Sequence, residues 1–159
     1  METNLNCKFD IIGNEKLLDL PKVAFLASQK FDQAQLDKVQ KWALEISKQN
    51  KCVISGFKSK LEFEVFKTLM NKSKSSAILV LARGIYEELP YTYQKLVNSG
   101  RLLIITPFAQ EQTDSRRDFA YIRNYIVVEM ADEVAVGAIT TGGQIEKILL
   151  ESEKQYKLL

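Results

Sequence analysis

The sequence lacks histidine entirely, and its 159 residues include only two cysteines, three prolines and one tryptophan. Without histidine the chain cannot form a Ser-His-Asp or Cys-His nucleophile system, a histidine-ligated zinc site or an imidazole proton shuttle. Cys7 and Cys52 lie far apart in the chain, which excludes a CxxC metal or redox motif and a secreted disulfide scaffold. The cytoplasm is therefore the expected compartment.

Long apolar runs and a strong excess of one charge are also missing. The apolar runs are much shorter than the roughly 20 residues of a membrane span, and residues 1–10 contain no apolar signal core. We therefore expect no membrane contact and no targeting segment. The formal net charge is only +2, so attraction to nucleic acid requires a local basic patch. The length predicts a single domain, residues 1–159, with a core of its own.

Five short apolar runs alternate with amphipathic segments along the chain. The amphipathic segments have apolar residues at helical spacing, and the third run is apolar at almost every position, as in a strand covered on both faces. Alternating strands and helices with short connections predict an α/β fold. We expect a Rossmann-like three-layer domain, with a mostly parallel five-stranded sheet and helices on both faces. The predicted strands are residues 22–28, 52–55, 76–82, 102–106 and 133–138.

Capping residues mark the predicted helix starts, because a short polar side chain and a Glu, Gln or Asp three positions later can satisfy free N–H groups. On the last helix, Ile145, Ile148 and Leu149 are predicted to face the core and Lys154 to face outward. The predicted capping pairs are Asp32 with Gln35, Ser59 with Glu62, Ser115 with Asp118, and Thr141 with Gln144.

The fourth helix combines a predicted apolar stripe with arginines. Its stripe is predicted to contain Phe119, Ile122, Ile126 and Met130. A solvated basic face is the ordinary explanation of Arg116, Arg117 and Arg123. However, Arg123 and Asn124 lie among the stripe residues, where a buried arginine needs a partner or a bound anion. The sequence leaves both interpretations open.

Loops that follow the predicted strands are rich in glycine and hydroxyl residues. In a parallel sheet these loops meet at the carboxyl edge, where ligands bind near the switch point of strand order. Backbone N–H groups and helix N-termini there favour a phosphate group. The candidate nucleic-acid or phosphate ligands are Ser28, Gln29, Ser55, Gly56, Lys58, Lys60, Arg83, Gly84, Arg123, Asn124, Thr141, Gly142 and Gly143.

Several residues of these loops fit an ordinary structural role equally well. Gly56 and Gly142 are consistent with simple tight turns. Glu62 and Glu146 are the acids near the loops that could perform acid/base chemistry, although helix capping explains both. Neither G-x-G-x-x-G after the first strand nor a Walker A motif is present, which argues against a conventional NAD enzyme or NTPase. No cofactor and no metal are expected.

The order of motifs from about Ile11 to about Leu150 resembles the Rossmann-like core of the DNA-processing protein A family. Departures are also visible: Gln29 stands where the family has an arginine, and Phe66 where it has a histidine. The segments that carry the resemblance are Ile12–Asn14, Pro21–Ala24, Val53–Gly56, Arg83–Ile85, Leu89–Pro90, Asn98–Ile105, Ile122–Val127 and Thr141–Gly143.

The resemblance implies a non-enzymatic domain that binds single-stranded DNA or a nucleotide. It further implies a role in DNA processing, uptake or recombination, a homodimer, a recombinase partner, and a core without the flanking domains often found in the family. Two alternatives remain. One is a phosphoribohydrolase-like enzyme that uses Glu146, although the full glycine-rich pattern of those enzymes is not present. The other is a sensor of a nucleotide ligand.

Overall fold

The protein is described by a computed structural model that covers residues 7–72 and 74–159. Seven strands form a single sheet in the order β1-β5-β4-β3-β2-β6-β7. The strands are β1 (Asp10–Gly13), β2 (Lys22–Ala27), β3 (Cys52–Ser55), β4 (Ser76–Val80), β5 (Leu102–Thr106), β6 (Glu133–Ala138) and β7 (Lys157–Leu158).

A short 3₁₀ helix follows β1, and five α-helices connect or follow the later strands. Helices α1, α2 and α3 pack on one face of the sheet, and α4 and α5 on the other. The 3₁₀ helix is Glu15–Asp19, and the α-helices are α1 (Gln33–Ile46), α2 (Lys60–Met70), α3 (Tyr91–Asn98), α4 (Arg117–Met130) and α5 (Gln144–Ser152).

The predicted Rossmann-like architecture is confirmed, but the predicted number of five strands is wrong. The central strands β5, β4, β3, β2 and β6 are parallel, as predicted. The two additional strands lie at the edges: β1 pairs antiparallel with β5, and the two-residue β7 pairs with β6. Both are too short to show a clear apolar pattern in the sequence.

Two of the four predicted capping pairs are confirmed. Asp32 with Gln35 and Ser59 with Glu62 form complete capping boxes, in which each side chain binds the other residue's backbone N–H. The prediction for Ser115 is wrong, because α4 begins at Arg117 and Arg116 is its N-cap.

Thr141 does not cap the last helix either. Helix α5 begins at Gln144 with Gly143 as N-cap, so Gln144 is its first residue rather than its third. The Gln144 side chain instead donates to the Arg117 carbonyl oxygen at 3.3 Å. A contact between helices therefore replaces the predicted local one.

The buried face of α4 differs from its predicted stripe. Phe119 and Ile126 are buried as predicted, but Ile122 is 42% exposed. The helix instead buries Arg123 and Asn124, which are 6% and 7% exposed. Helix α4 thus turns two polar side chains inward, next to the carboxyl edge of the sheet.

Lys154 is another residue whose predicted orientation is wrong. Its side chain is partly buried, and its ammonium group donates to the carbonyl oxygens of Val128, Glu129 and Ala131 at 2.7, 2.8 and 2.8 Å. These carbonyls lie at the end of α4, where the helix leaves acceptors without intrahelical partners. Lys154 therefore caps α4 from the segment that follows α5.

Replacing Lys154 by methionine is expected to lower the free energy of unfolding by about 1–2 kcal/mol, because the α4 carbonyls lose a charged donor. Urea denaturation measures this loss. The matched control is Lys147→Met, since the Lys147 side chain is 67% exposed and its replacement should change stability by less than about 0.5 kcal/mol. Equal effects of the two substitutions would contradict the capping role.

Candidate functional site

The strand order reverses between β2 and β6, and the loops after these two strands meet at the carboxyl edge of the sheet. The Ser28 backbone N–H donates to the Ala138 carbonyl oxygen at 2.9 Å. The Thr140 N–H in turn donates to the Ser28 hydroxyl oxygen at 3.0 Å. Ser28 therefore joins the two loops, and its hydroxyl group is already engaged as an acceptor.

A cavity of about 370 Å³ opens beside this junction. It has an apolar wall of alanine and isoleucine side chains and a polar rim that carries four cationic residues. Its lining residues are Ala27, Ser28, Gln29, Lys30, Lys58, Ser59, Glu62, Arg117, Ala120, Arg123, Asn124, Thr140, Gly143, Gln144 and Ile145.

Arg123 is the most deeply buried cation of this cavity. Its Nε donates to the Asn124 Oδ1 at 2.7 Å, which fixes the guanidinium plane. The guanidinium lies directly against the backbone of Gly56, where an added Cβ would come within 2.2 Å of the Arg123 Nη1. Glycine at position 56 therefore provides the space that the arginine occupies.

The terminal nitrogens of Arg123 remain free to bind a ligand. Within residues 7–72 and 74–159, neither Nη1 nor Nη2 donates a hydrogen bond, and no carboxylate oxygen lies within 4.0 Å of them. Neither nitrogen is sealed from solvent. Burial lowers the pKa of Arg123, and the charge of nearby Glu62 partly opposes this effect. An arginine stays protonated in proteins, so the cavity lining, with four cationic side chains and the single carboxylate of Glu62, carries a net positive charge.

The start of α5 adds backbone donors to the same cavity. Its N-cap, Gly143, has no side chain that could accept a hydrogen bond from the first turn. Gly143, Gln144 and Ile145 all line the cavity. The N–H groups of the first turn, which receive no capping side chain from the described residues, and the positive end of the helix dipole thus lie beside Arg123, an arrangement that attracts anions.

Glu62 is the one acidic residue among those that line the cavity, and its carboxylate is engaged by the backbone. Its oxygens accept from the N–H groups of Ala27 at 3.1 Å, Lys58 at 3.0 Å and Ser59 at 3.2 Å. The residue is 3% exposed. Glu62 therefore joins the end of β2 to the start of α2, an extension of the capping role that the sequence predicts.

The structure brings seven of the residues singled out in the sequence to the cavity lining and buries two more next to it. Gly56 lies against the Arg123 guanidinium, and the hydroxyl of the adjacent Ser55 accepts from the Phe57 N–H at 3.0 Å. The seven lining residues are Ser28, Gln29, Lys58, Glu62, Arg123, Asn124 and Gly143.

Six of the predicted residues lie outside the cavity. Arg83 and Gly84 follow β4, two strands from β2, and Arg83 lies beside Glu87, Glu88 and Glu111. An acidic neighbourhood is a poor phosphate site. The remaining residues outside the cavity are Lys60, Thr141, Gly142 and Glu146; the Glu146 carboxylate accepts from the Gly142 N–H at 3.1 Å.

Sequence reasoning missed five polar residues of the cavity. Lys30 directly follows Gln29 in a loop, and Arg117 directly follows Arg116 at the start of α4. At such positions the sequence does not show in which direction a side chain points. The sequence pattern predicts only a turn for Thr140 and only helix caps for Ser59 and Gln144. In the part of the chain that the structure describes, no group of three or more cysteine and acidic residues is arranged to hold a metal ion. No helix there is long and apolar enough to cross a membrane.

Solved structures of two DNA processing A proteins have a fold similar to that of this chain. The DNA processing protein A of Helicobacter pylori, whose structural study concerns single-stranded DNA binding, superposes with a TM-score of 0.75 at 18% identity; the match covers 95% of this chain and 71% of that protein. The Streptococcus pneumoniae protein also gives 0.75, at 16% identity, over 94% of this chain and 54% of its own.

More distant folds match as well. The molybdenum cofactor binding protein of Rippkaea orientalis gives a TM-score of 0.59 at 12% identity, over 87% of this chain and 76% of that protein. These identities establish a common fold and nothing further. A sequence search among curated proteins finds no significant match.

A match to a sequence profile identifies the family of this chain. The sequence profile of DNA recombination-mediator protein A matches residues 8–155, nearly the whole chain. This match agrees with the motifs seen in the sequence and with the superposition on two DNA processing A proteins. The chain therefore belongs to the DNA recombination-mediator protein A family.

Proposed function

We propose that this chain binds single-stranded DNA and holds a backbone phosphate in the cavity beside Arg123. The observation that carries the proposal is the burial of Arg123 at 6% exposure, with two terminal nitrogens that have no acceptor among the described residues. A buried, permanently charged guanidinium is costly unless an anion accompanies it. A phosphate can accept two parallel hydrogen bonds from the planar pair of donors that a guanidinium presents.

Three further features support a phosphate ligand. Lys30, Lys58 and Arg117 add positive charge at the cavity rim, and the free N–H groups of α5 add directed donors. The lone carboxylate of the cavity, on Glu62, is held by three backbone N–H groups. The family assignment and the single-stranded DNA binding studied for the Helicobacter pylori protein favour a polynucleotide as the source of that phosphate.

Fluorescence anisotropy with a labelled oligothymidylate tests the proposal. Binding is expected at micromolar protein in low salt. The logarithm of the association constant should fall with the logarithm of salt concentration, with a slope of about −0.7 for each phosphate neutralised. Absence of binding at low salt, or binding that does not respond to salt, would contradict the proposal.

A nucleotide-ligand sensor is the second candidate, because a cavity of about 370 Å³ is large enough for a small molecule. Thermal unfolding with single nucleotides separates the two candidates. A nucleoside monophosphate that stabilises the protein as strongly as an oligonucleotide at equal phosphate concentration would favour the sensor. We propose no catalytic role, since Glu62 and Glu146 both accept hydrogen bonds from backbone N–H groups.

We further propose several features that the resemblance to the family implies. They are a homodimeric state, delivery of the strand to a recombinase, action in the cytoplasm, and a single functional domain over residues 1–159. The DNA-binding proposal does not depend on any of them.

A further inference from the structure

A line of cationic and aromatic side chains runs along the exposed face of α2. Lys60, Phe63 and Lys67 are spaced by three and four residues, so they lie on the same helix face. All three are exposed, and Phe63 has 47% of its surface in solvent. Lys58 and Ser59, which line the phosphate cavity, immediately precede Lys60 in the chain. The line therefore starts at the cavity and extends about 10 Å along the helix axis.

Phe63 forms one wall of an aromatic groove between α2 and α3. The groove has a volume of about 540 Å³. The ring of Phe63 stacks on that of Phe66, with centroids 6.3 Å apart, and Tyr93 meets Phe66 edge-on at 6.0 Å. The groove residues are Phe63, Phe66, Lys67, Met70, Asn71, Tyr86, Pro90, Thr92 and Tyr93.

The charge around Phe63 is predominantly positive. The Lys67 ammonium lies 5.5 Å from the centre of the Phe63 ring, and it also pairs with Glu64 at 2.6 Å. Lys60 lies one turn before Phe63. Phe63 keeps 47% of its surface in solvent beside these two lysines, although Phe66 stacks against its ring.

Phe57 connects the groove with the phosphate cavity. It has a left-handed backbone with φ of 47°, a conformation that costs free energy for a bulky residue. Its buried ring lies 5.1 Å from that of Phe66 in the groove, while the next residue, Lys58, lines the cavity. The turn at Phe57 thus attaches both surfaces to the same loop.

We propose that the α2 face is a second DNA subsite, in which a nucleobase beyond the bound phosphate stacks on Phe63 and the backbone passes Lys60 and Lys67. This inference rests on the proposed function. An alternation of cation, aromatic ring and cation suits a strand that carries a phosphate and a flat base in every unit. An apolar peptide would require neither the ring plane nor the flanking charges.

Phe63→Ala is the test, measured by anisotropy with an oligothymidylate and with thymidine monophosphate. Loss of one stacked base is expected to weaken oligonucleotide binding about tenfold. Affinity for the mononucleotide should be unchanged, since that ligand occupies only the cavity. In Phe63→Ala the slope of the logarithm of the association constant against the logarithm of salt concentration should stay constant. Lys67→Ala should reduce the magnitude of this slope by somewhat less than one, because one phosphate contact is lost.

Two more variants at the same position separate stacking from general apolar contact. Phe63→Trp should retain or strengthen binding, and Phe63→Leu should lose as much as Phe63→Ala. A matched control is Tyr156→Ala, because Tyr156 is also 47% exposed but lies near the amino ends of β2 and β6. This control should bind like the wild type.

The outcomes distinguish this subsite from the cavity. Wild-type affinity in Phe63→Ala or in Phe63→Leu would overturn the subsite and leave the cavity proposal intact. A change of oligomeric state in Phe63→Ala, measured by sedimentation, would identify the groove as a contact between copies and would also overturn it. If the wild-type protein binds no oligonucleotide, the proposed function fails and the subsite fails with it.

Discussion

Replacing Arg123 by alanine is expected to weaken oligonucleotide binding about a hundredfold, the largest effect of any single substitution in the cavity. The guanidinium is buried and has two donors available, so its hydrogen bonds to a phosphate form in a desolvated site. Truncating one partner of such a charged pair typically costs about 2–5 kcal/mol. Arg123→Lys should recover only part of the affinity, because an ammonium lacks the planar pair of donors.

Removing the guanidinium group of Arg123 should leave the fold stable. In the absence of ligand, the buried charge of Arg123 has Asn124 as its hydrogen-bond acceptor and no carboxylate within 4.0 Å among the described residues. Arg123→Met is therefore expected to keep the free energy of unfolding unchanged or to raise it by about 1 kcal/mol. Loss of binding with retained stability is typical of a functional residue. Urea denaturation measures the free energy of unfolding of the variant.

Arg116→Ala is the matched control, since the Arg116 side chain is 63% exposed and pairs with Asp118 at 3.0 Å outside the cavity. It removes the same charge from the N-cap of α4, seven residues before Arg123 on the same helix. Its affinity should fall by less than about threefold, as for a screened surface charge. If both arginine substitutions weaken binding equally, the cavity has no special role and only the overall charge matters.

Replacing Glu62 by alanine is expected to lower the free energy of unfolding by about 3–5 kcal/mol. Three backbone N–H groups, those of Ala27, Lys58 and Ser59, lose their shared acceptor. Buried donors without a partner cost about 1–3 kcal/mol each, and partial access to cavity water reduces the sum. Urea denaturation measures the loss, and the control is Glu64→Ala on the same helix, which removes a half-buried carboxylate that pairs with Lys67.

Glu62→Gln separates the structural and electrostatic effects of this residue. The amide retains one acceptor oxygen, so the loss of stability should be only about 1–2 kcal/mol. Removing the one carboxylate of the cavity lining should strengthen oligonucleotide binding severalfold at low salt. Weaker binding by a folded Glu62→Gln protein would show that the carboxylate contributes to the ligand site, which our interpretation excludes.

Local chemistry explains which parts of the fold are predictable from the sequence. Strands β3, β5 and β6 have their predicted limits, because continuous apolar runs end at clear turn residues. The Asp32 and Ser59 caps form as predicted, since each depends on residues within one turn. Strand β1 escaped prediction because its four residues include only two apolar ones, Ile11 and Ile12.

The site departs from the sequence pattern for a physical reason. Periodicity assigns Ile122 to the core, yet α4 turns Arg123 and Asn124 inward, because the cavity offers them room and Gly56 lacks a side chain. Functional sites commonly break local patterns in this way. The wrong cap at Thr141 has the same origin: the start of α5 is left without a side-chain acceptor, beside the cavity.

Strand order decides which of the glycine-rich loops belong to the site. The loops after β2 and β6 meet at the switch point, and the loop after β3 adds Lys58. The loop after β4, with Arg83, lies too far along the sheet. A sequence shows that each strand ends in a suitable loop, but only the three-dimensional order of strands shows which loops are neighbours.

A crystal structure with a bound oligothymidylate is the most direct test of a phosphate site at Arg123. We expect a phosphate oxygen within hydrogen-bond distance of Arg123 Nη1 or Nη2, and a second oxygen near the N–H groups at the start of α5. A strand bound elsewhere on the protein, with the cavity beside Arg123 filled only by water, would contradict the proposed binding mode.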